Sequence, residues 1–124
     1  LGQGISCAAG IAKASKIKKD NATVYTIIGD GESQEGEVWE AAMFAAHYKL
    51  NNLIAFTDNN KLQIDGTVHQ VMSLGFLEDK WKAFGWNVLS VDGHDVEAIY
   101  DAIEKAKCDK YSPTMIILDT IKGK

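Results

Sequence analysis

The sequence predicts an α/β fold in which a parallel sheet carries helices on both faces, and three observations lead to it. Short β-branched and apolar runs alternate with longer runs of helical period. The first strand, helix and strand are spaced as a βαβ unit, whose crossover is right-handed and whose strands are parallel. The same alternation then returns in the second half of the chain.

Taken in order, Ile5, Ala8, Ala9, Ile11 and Ala12 predict a helix from about Ile5 to Lys16, closed by Asp20-Asn21-Ala22. Its small side chains let the backbone approach a neighbour. Val24 to Ile28 reads as a short buried strand that ends in Gly29-Asp30-Gly31. Beyond Gly36, residues Val38, Trp39, Ala42, Met43, Ala45 and Ala46 repeat with helical spacing, so a helix is expected to about Tyr48. Leu53 to Thr57 is the next strand. A short helix closes over Trp81 to Phe84, "WNVLSV" forms a third strand, Val96 to Ala106 a helix, and "TMIILDT" after Pro113 a fourth strand. Lys61 to Gly75 shows no clear period, and loops of that length in compact domains are commonly functional.

Composition bounds what this domain does. At 124 residues, 46% hydrophobic and 24% charged, the chain has the size and balance of one soluble globular domain. No apolar run reaches the roughly 18 residues that cross a bilayer, and the start lacks the order of a secretion signal, so a cytoplasmic location is expected without a membrane partner. A net charge of −4 gives no reason to expect nucleic acid. Lys13, Lys16, Lys18 and Lys19 read as solvated cations at the negative pole of a helix. Cys7 and Cys108 are too few and too distant for a disulfide framework or a zinc site, and read as buried or idle thiols. With no initiator Met and no terminal feature at "TIKGK", residues 1–124 are expected to be a fragment of a longer chain.

In parallel sheets of this kind ligands bind beyond the carboxyl ends of the strands, which selects Gly29 to Glu35, Asp58 to Leu62, and Asp92 to Asp95. Gly29 and Gly31 permit backbone angles and close approaches that a side chain forbids, so anionic oxygens can reach backbone N–H groups there. Yet five acids lie between Asp30 and Glu40. A divalent cation resolves the contradiction, because without it Asp30, Glu32 and Glu35 would repel a phosphate. Adjacent parallel strands bring Asp30 and Asn60 to one rim, and a carboxylate with an amide oxygen suits magnesium or calcium, which can carry a diphosphate. A dinucleotide site is the competing reading, with Asp58 at the position of a ribose ligand, but Gln34 stands where the third glycine of that fingerprint belongs.

With "GDGESQEGEVWEAAMFAAHYKLNNLIAFTDNNKLQIDG" assembled, the chain resembles the diphosphate-binding domain of transketolase, a thiamine diphosphate enzyme family whose signature is GDG followed about thirty residues later by an asparagine. "LGQGIS", "GWNVLSVDGHD" and "LDTIKGK" extend the likeness over essentially the whole chain, and "GDGESQEGEVWEA" resembles the amino-terminal subunits of split transketolases. The resemblance implies that Asp30, the Asn60 side chain and the Leu62 backbone carbonyl ligate magnesium, Leu62 standing for the usual Ile. It implies that Gly31 and Asn60 touch the diphosphate, that Leu1 lies against the cofactor, and that Glu35 links two cofactor sites across a subunit interface. It also implies transfer of a two-carbon ketol unit from a ketose phosphate to an aldose phosphate, a place in the pentose phosphate pathway, a pyrimidine-binding partner that is a separate C-terminal subunit in split enzymes, and a homodimer or heterotetramer. "LGQG", "QIDG" and "DGHD" favour this over a decarboxylase or dehydrogenase component. Retention of Asp30 and Asn60 argues against a non-catalytic interaction domain. His94 reads as part of a helix-capping turn, His47 and His69 have no evident partner, Trp39 and Met43 read as core or interface, and Glu37 and Glu40 as a solvated first turn.

Overall fold

The computed structural model describes residues 1–124. Helix α1 (Gln3–Lys18) leads into strand β1 (Val24–Gly29), a single 3-10 turn (Gly31–Gln34) and helix α2 (Gly36–His47). Strand β2 (Leu53–Asn59), a hairpin of β3 (Leu62–Gln63) and β4 (Gly66–Thr67), and helices α3 (Val68–Met72) and α4 (Leu77–Ala83) follow. Strand β5 (Asn87–Asp92), helix α5 (Val96–Cys108) and strand β6 (Thr114–Asp119) complete the chain. The four long strands form one sheet in the order β1-β2-β6-β5, and every pair is parallel.

Each predicted strand and helix is present with ends within two residues of those expected, except that α4 begins four residues earlier. Two features exceed the sequence reading. The 3-10 turn directly after Asp30 has no period to betray it, and the segment 61–75 is not a loop throughout but holds the hairpin and α3. Glycine at 29 and 31 is not needed for a left-handed angle, because neither has positive φ. Close approach explains Gly31: a Cβ there would stand 3.1 Å from Cβ of Gln63, closer than side chains normally tolerate.

The core explains why the sheet lies where it does. Ile5, Ala8 and Ala12 of α1 and Val38, Ala42 and Ala45 of α2 pack on Ile28, Leu53, Ala55, Met115 and Ile117 of the sheet's first face, with Trp81 of α4 closing one side. Small residues on the two helices allow this layer to sit tightly on the strands. On the second face, Ile54, Phe56 and Ile116 meet Ala102 and Ala106 of α5. Alternate residues of β2 and β6 thus face opposite layers, and both strands are buried on both sides, as parallel strands require. Trp39, half-buried, packs tilted against Trp81 at 4.9 Å between ring centroids and so borders the core, whereas Met43 is 55% exposed. Both cysteines are exposed free thiols, so of the two readings, buried or idle, burial does not hold. Lys16, Lys18 and Lys19 are exposed, and Lys13 lies over the Tyr48 ring at 3.9 Å.

A site at the carboxyl ends of the first two strands

Parallel register sets the site. Gly29, the last residue of β1, pairs with Asp58 of β2, so Asp30 leaves the sheet beside Asn59 and Asn60. The Asp30 N–H donates to the Asp58 carbonyl at 3.1 Å, carrying the ladder one residue past the strand. Ser33 N–H then donates to the Asp30 carbonyl at 3.0 Å and Ser33 Oγ to the Gly29 carbonyl at 3.1 Å, which winds the 3-10 turn. Trp39 Nε1 fixes that turn to the core by donating to the Ser33 carbonyl at 2.9 Å.

Asp30 is 3% exposed. Its Oδ1 accepts the Gly31 N–H at 2.7 Å and its Oδ2 accepts the Lys61 N–H at 2.5 Å, so the carboxylate bridges the two strand ends. Lys61 adopts φ 64° to bring its N–H there, a left-handed angle that is unfavourable for a residue with a side chain. The Lys61 ammonium turns away to Asp119, 3.4 Å distant, and no salt bridge reaches Asp30. Burial pushes the Asp30 carboxyl above the usual aspartate range; the two N–H donors oppose the shift and the neighbouring Asp58 adds to it. A buried carboxylate with no basic side chain beside it is suited to a metal cation.

Asn60 is the second member. Its Nδ2 donates to Asp58 Oδ2 at 2.8 Å and its Oδ1 accepts the Leu62 N–H at 2.9 Å. One carboxylate, one amide oxygen and one backbone carbonyl are oxygen donors of the kind that hard divalent cations take, with waters and phosphate completing the shell. No trio of His, Cys, Asp or Glu side chains converges anywhere in the chain, so a zinc-type centre is not what this rim offers. A cleft of about 730 Å³ opens beside Asp30, bounded by Asn59, Lys61, His69 and Ser73.

The amino-terminal segment reaches the same rim through Glu32, which in sequence shows only as one more charge repelling phosphate. Glu32 Oε1 accepts the Gly2 N–H at 2.7 Å and Oε2 accepts the Gly29 N–H at 3.0 Å, so its carboxylate clamps the start of the chain to the end of β1. Leu1, 90% exposed, is thereby held next to the glycine turn. Gly2 sits at φ 84°, and a Cβ there would stand 3.2 Å from Cβ of Glu35. Glu35 is exposed at the N-cap of α2 and makes no side-chain cap bond. Gln34, which breaks the dinucleotide fingerprint, donates from Nε2 to Gln63 Oε1 at 2.6 Å and to the Met72 carbonyl at 2.8 Å, tying the hairpin and α3 to the turn. The dinucleotide reading needs Asp58 free to meet a ribose. Each of its side-chain oxygens already accepts a bond within the chain, from Asn60 and from the Thr120 hydroxyl, which gives that competing role no support. The structural roles of Glu32, Asp58 and Thr120 carry no sequence signal, since their partners lie up to 62 residues away.

The third selected stretch lies at the same end of the sheet, two strands along from β2. Asp92 accepts the His94 N–H at 2.9 Å and Asp95 caps α5 through the Ala98 N–H at 3.0 Å, as a capping turn should. His94 Nε2 also accepts the Ile121 N–H at 2.8 Å, which fastens "DGHD" to the segment after β6.

A parallel α/β domain with an acidic glycine turn at its strand ends belongs to a class of folds that bind ligands there. Comparison narrows it: residues 1–124 match the family described as "Transketolase, thiamine diphosphate binding domain", and the chain belongs to that family. It is 56% identical over its whole length to a 6-deoxy-6-sulfo-D-fructose transketolase subunit from Clostridium sp. (strain MSTE9), of which it covers 45%. A subunit of apulose-4-phosphate transketolase from Phocaeicola vulgatus is 44% identical over the whole chain, which covers 44% of that relative. The fold superimposes on the crystal structure of transketolase from Campylobacter jejuni with a TM-score of 0.90 at 35% identity, over 99% of this chain and 20% of that one. The chain therefore spans somewhat less than half the length of the subunits it matches.

Proposed function

We propose that this chain supplies the diphosphate and metal site of a transketolase-type enzyme, which moves a two-carbon ketol unit from a ketose phosphate to an aldose phosphate. The observation that carries the reading is the buried Asp30 carboxylate, joined to the end of the neighbouring strand beside Asn60 and paired with no basic side chain. Asp30, Asn60 Oδ1 and the Leu62 carbonyl are the oxygens that would hold magnesium, with calcium an acceptable substitute. Gly31 and Asn60 would border the diphosphate, and the apolar Leu1 would lie against the cofactor. When bound, thiamine diphosphate supplies an electron sink for making and breaking bonds at a carbonyl carbon. Glu35, exposed at the head of α2, would link this site to a second one in a partner subunit.

Membership of the family supports thiamine diphosphate as the cofactor. The two relatives above are both named as subunits, which supports a separate pyrimidine-binding C-terminal partner; the assembly would be a homodimer or a heterotetramer. Their names also widen the substrate class beyond the pentose phosphate pathway to ketoses that carry a terminal phosphate or sulfonate. No helix is long and apolar enough to cross a membrane, in keeping with a cytoplasmic enzyme.

The test is reconstitution with a candidate C-terminal subunit. Ketol transfer that needs both chains and magnesium, and is lost with Asp30→Ala, is the expected result. Cofactor binding accompanied by decarboxylation of 2-oxo acids and no transfer from any ketose would overturn the assignment in favour of another branch of thiamine diphosphate enzymes.

A further inference from the structure

We infer that Asp58 is a positioning residue that turns the Asn60 amide so that its oxygen, and not its nitrogen, faces the cation site. The inference rests on the metal reading of Asn60 given above. A side-chain amide presents a donor at one end and an acceptor at the other, and nothing in its shape decides which end points where. An ionised carboxylate only accepts. Asp58 Oδ2, 2.8 Å from Asn60 Nδ2, therefore selects the amino end, while the Leu62 N–H, 2.9 Å from Asn60 Oδ1, selects the oxygen at the other. Both restraints agree, and an oxygen lone pair is left for a cation.

Asp58 is itself held from three sides. It lies at the end of β2 between Gly29 of β1 and Leu118 of β6. Its carbonyl accepts the Asp30 N–H at 3.1 Å, and its Oδ1 accepts the Thr120 hydroxyl just past β6. It joins no salt bridge, so its charge also adds to the negative field around Asp30. The ends of three strands are thus wired to one amide, and Asp58→Asn reverses the logic. With its oxygen kept on Thr120, an asparagine at 58 presents its own amino group to Asn60. Asn60 must then either face that donor with another donor or rotate, and rotation sets its amino end against the Leu62 N–H and removes the oxygen from the cation.

The experiment is a Mn²⁺ titration followed by electron paramagnetic resonance, with thiamine diphosphate and a candidate C-terminal subunit present, on the chain and its variants. Asp58→Asn is expected to weaken Mn²⁺ binding by about 10–100-fold, the usual cost of losing a group that orients a metal ligand. Thr120→Val should weaken it in the same direction and by less. The decisive comparison is made on the Asn60→Asp background, where both ends of residue 60 are oxygens and there is no orientation to lose. There Asp58→Asn should leave binding unchanged or tighten it, by relieving the repulsion of two carboxylates. An equal loss on both backgrounds, or no loss on either, overturns the positioning role. No Mn²⁺ binding by the unsubstituted chain, or binding indifferent to Asn60→Ala, would remove the metal reading itself and the inference with it.

Discussion

Among single residues, two aspartates show how environment decides what a carboxylate does. Asp30 is buried beside no basic side chain, and an uncompensated buried charge is costly. Asp30→Asn removes that charge but sets an amide nitrogen against one of the two N–H donors, so it should change the stability of the metal-free chain by no more than about 1–2 kcal/mol while abolishing any rise in its unfolding temperature on adding magnesium with thiamine diphosphate. Differential scanning calorimetry with and without the metal measures both effects. A large loss of stability in the metal-free variant would show that Asp30 serves the fold rather than a cation. Asp20 is the opposite case. The Ser15 hydroxyl, then the Ala22 N–H, with a smaller contribution from Lys18, holds its carboxyl below the usual aspartate range. A depressed carboxyl contributes stability above its unfolded-state value and loses it as pH falls through the folded-state value. Urea unfolding midpoints of the chain and of Asp20→Asn should accordingly differ near neutrality and converge as pH drops below about 3.9, the unperturbed aspartate value. A gap that persisted in acid would show that Asp20 acts through packing rather than charge.

Among the elements, most of the fold is legible because helices and buried strands declare themselves by period. The end of β1 and the end of β2 are legible as a candidate site because a glycine turn and an asparagine stand at strand termini, and parallel pairing makes them neighbours. Pieces without a period stay hidden. β3 and β4 have only two residues each, and the 3-10 turn only four, too short for any pattern to rise above its surroundings. Glu32, Asp58 and Thr120 are hidden for a different reason, since each acts on backbone or side chains brought close only by the tertiary fold. The DGHD turn falls between these cases. Asp95 at the head of α5 is an ordinary N-cap, and its hydrogen bond is visible in prospect from sequence. Asp95→Ala should cost about 1 kcal/mol in denaturant unfolding, as loss of such a cap does. The bond from Ile121 N–H to His94, by contrast, could not be foreseen.

Across the whole molecule, the sheet is covered unequally. α5 covers the second face over β2 and β6, but Tyr25 and Ile27 on β1, the strand at one edge, are 46% and 70% exposed. An edge strand with apolar side chains invites pairing with another molecule. Ile27→Lys should alter stability by no more than about 0.5 kcal/mol, as exposed substitutions do, while reducing concentration-dependent association in light scattering. The rim at the strand ends is polar instead, with one proposed purpose, holding a diphosphate through a metal. Calorimetric titration of thiamine diphosphate into the chain with and without magnesium, repeated on Asp30→Ala, decides whether it serves that purpose. Binding is expected to need the metal, to disappear in the variant and to strengthen when a pyrimidine-domain partner is present. Binding that is indifferent to magnesium and to Asp30, or no binding even with the partner, would refute a diphosphate and metal site at Asp30 and Asn60.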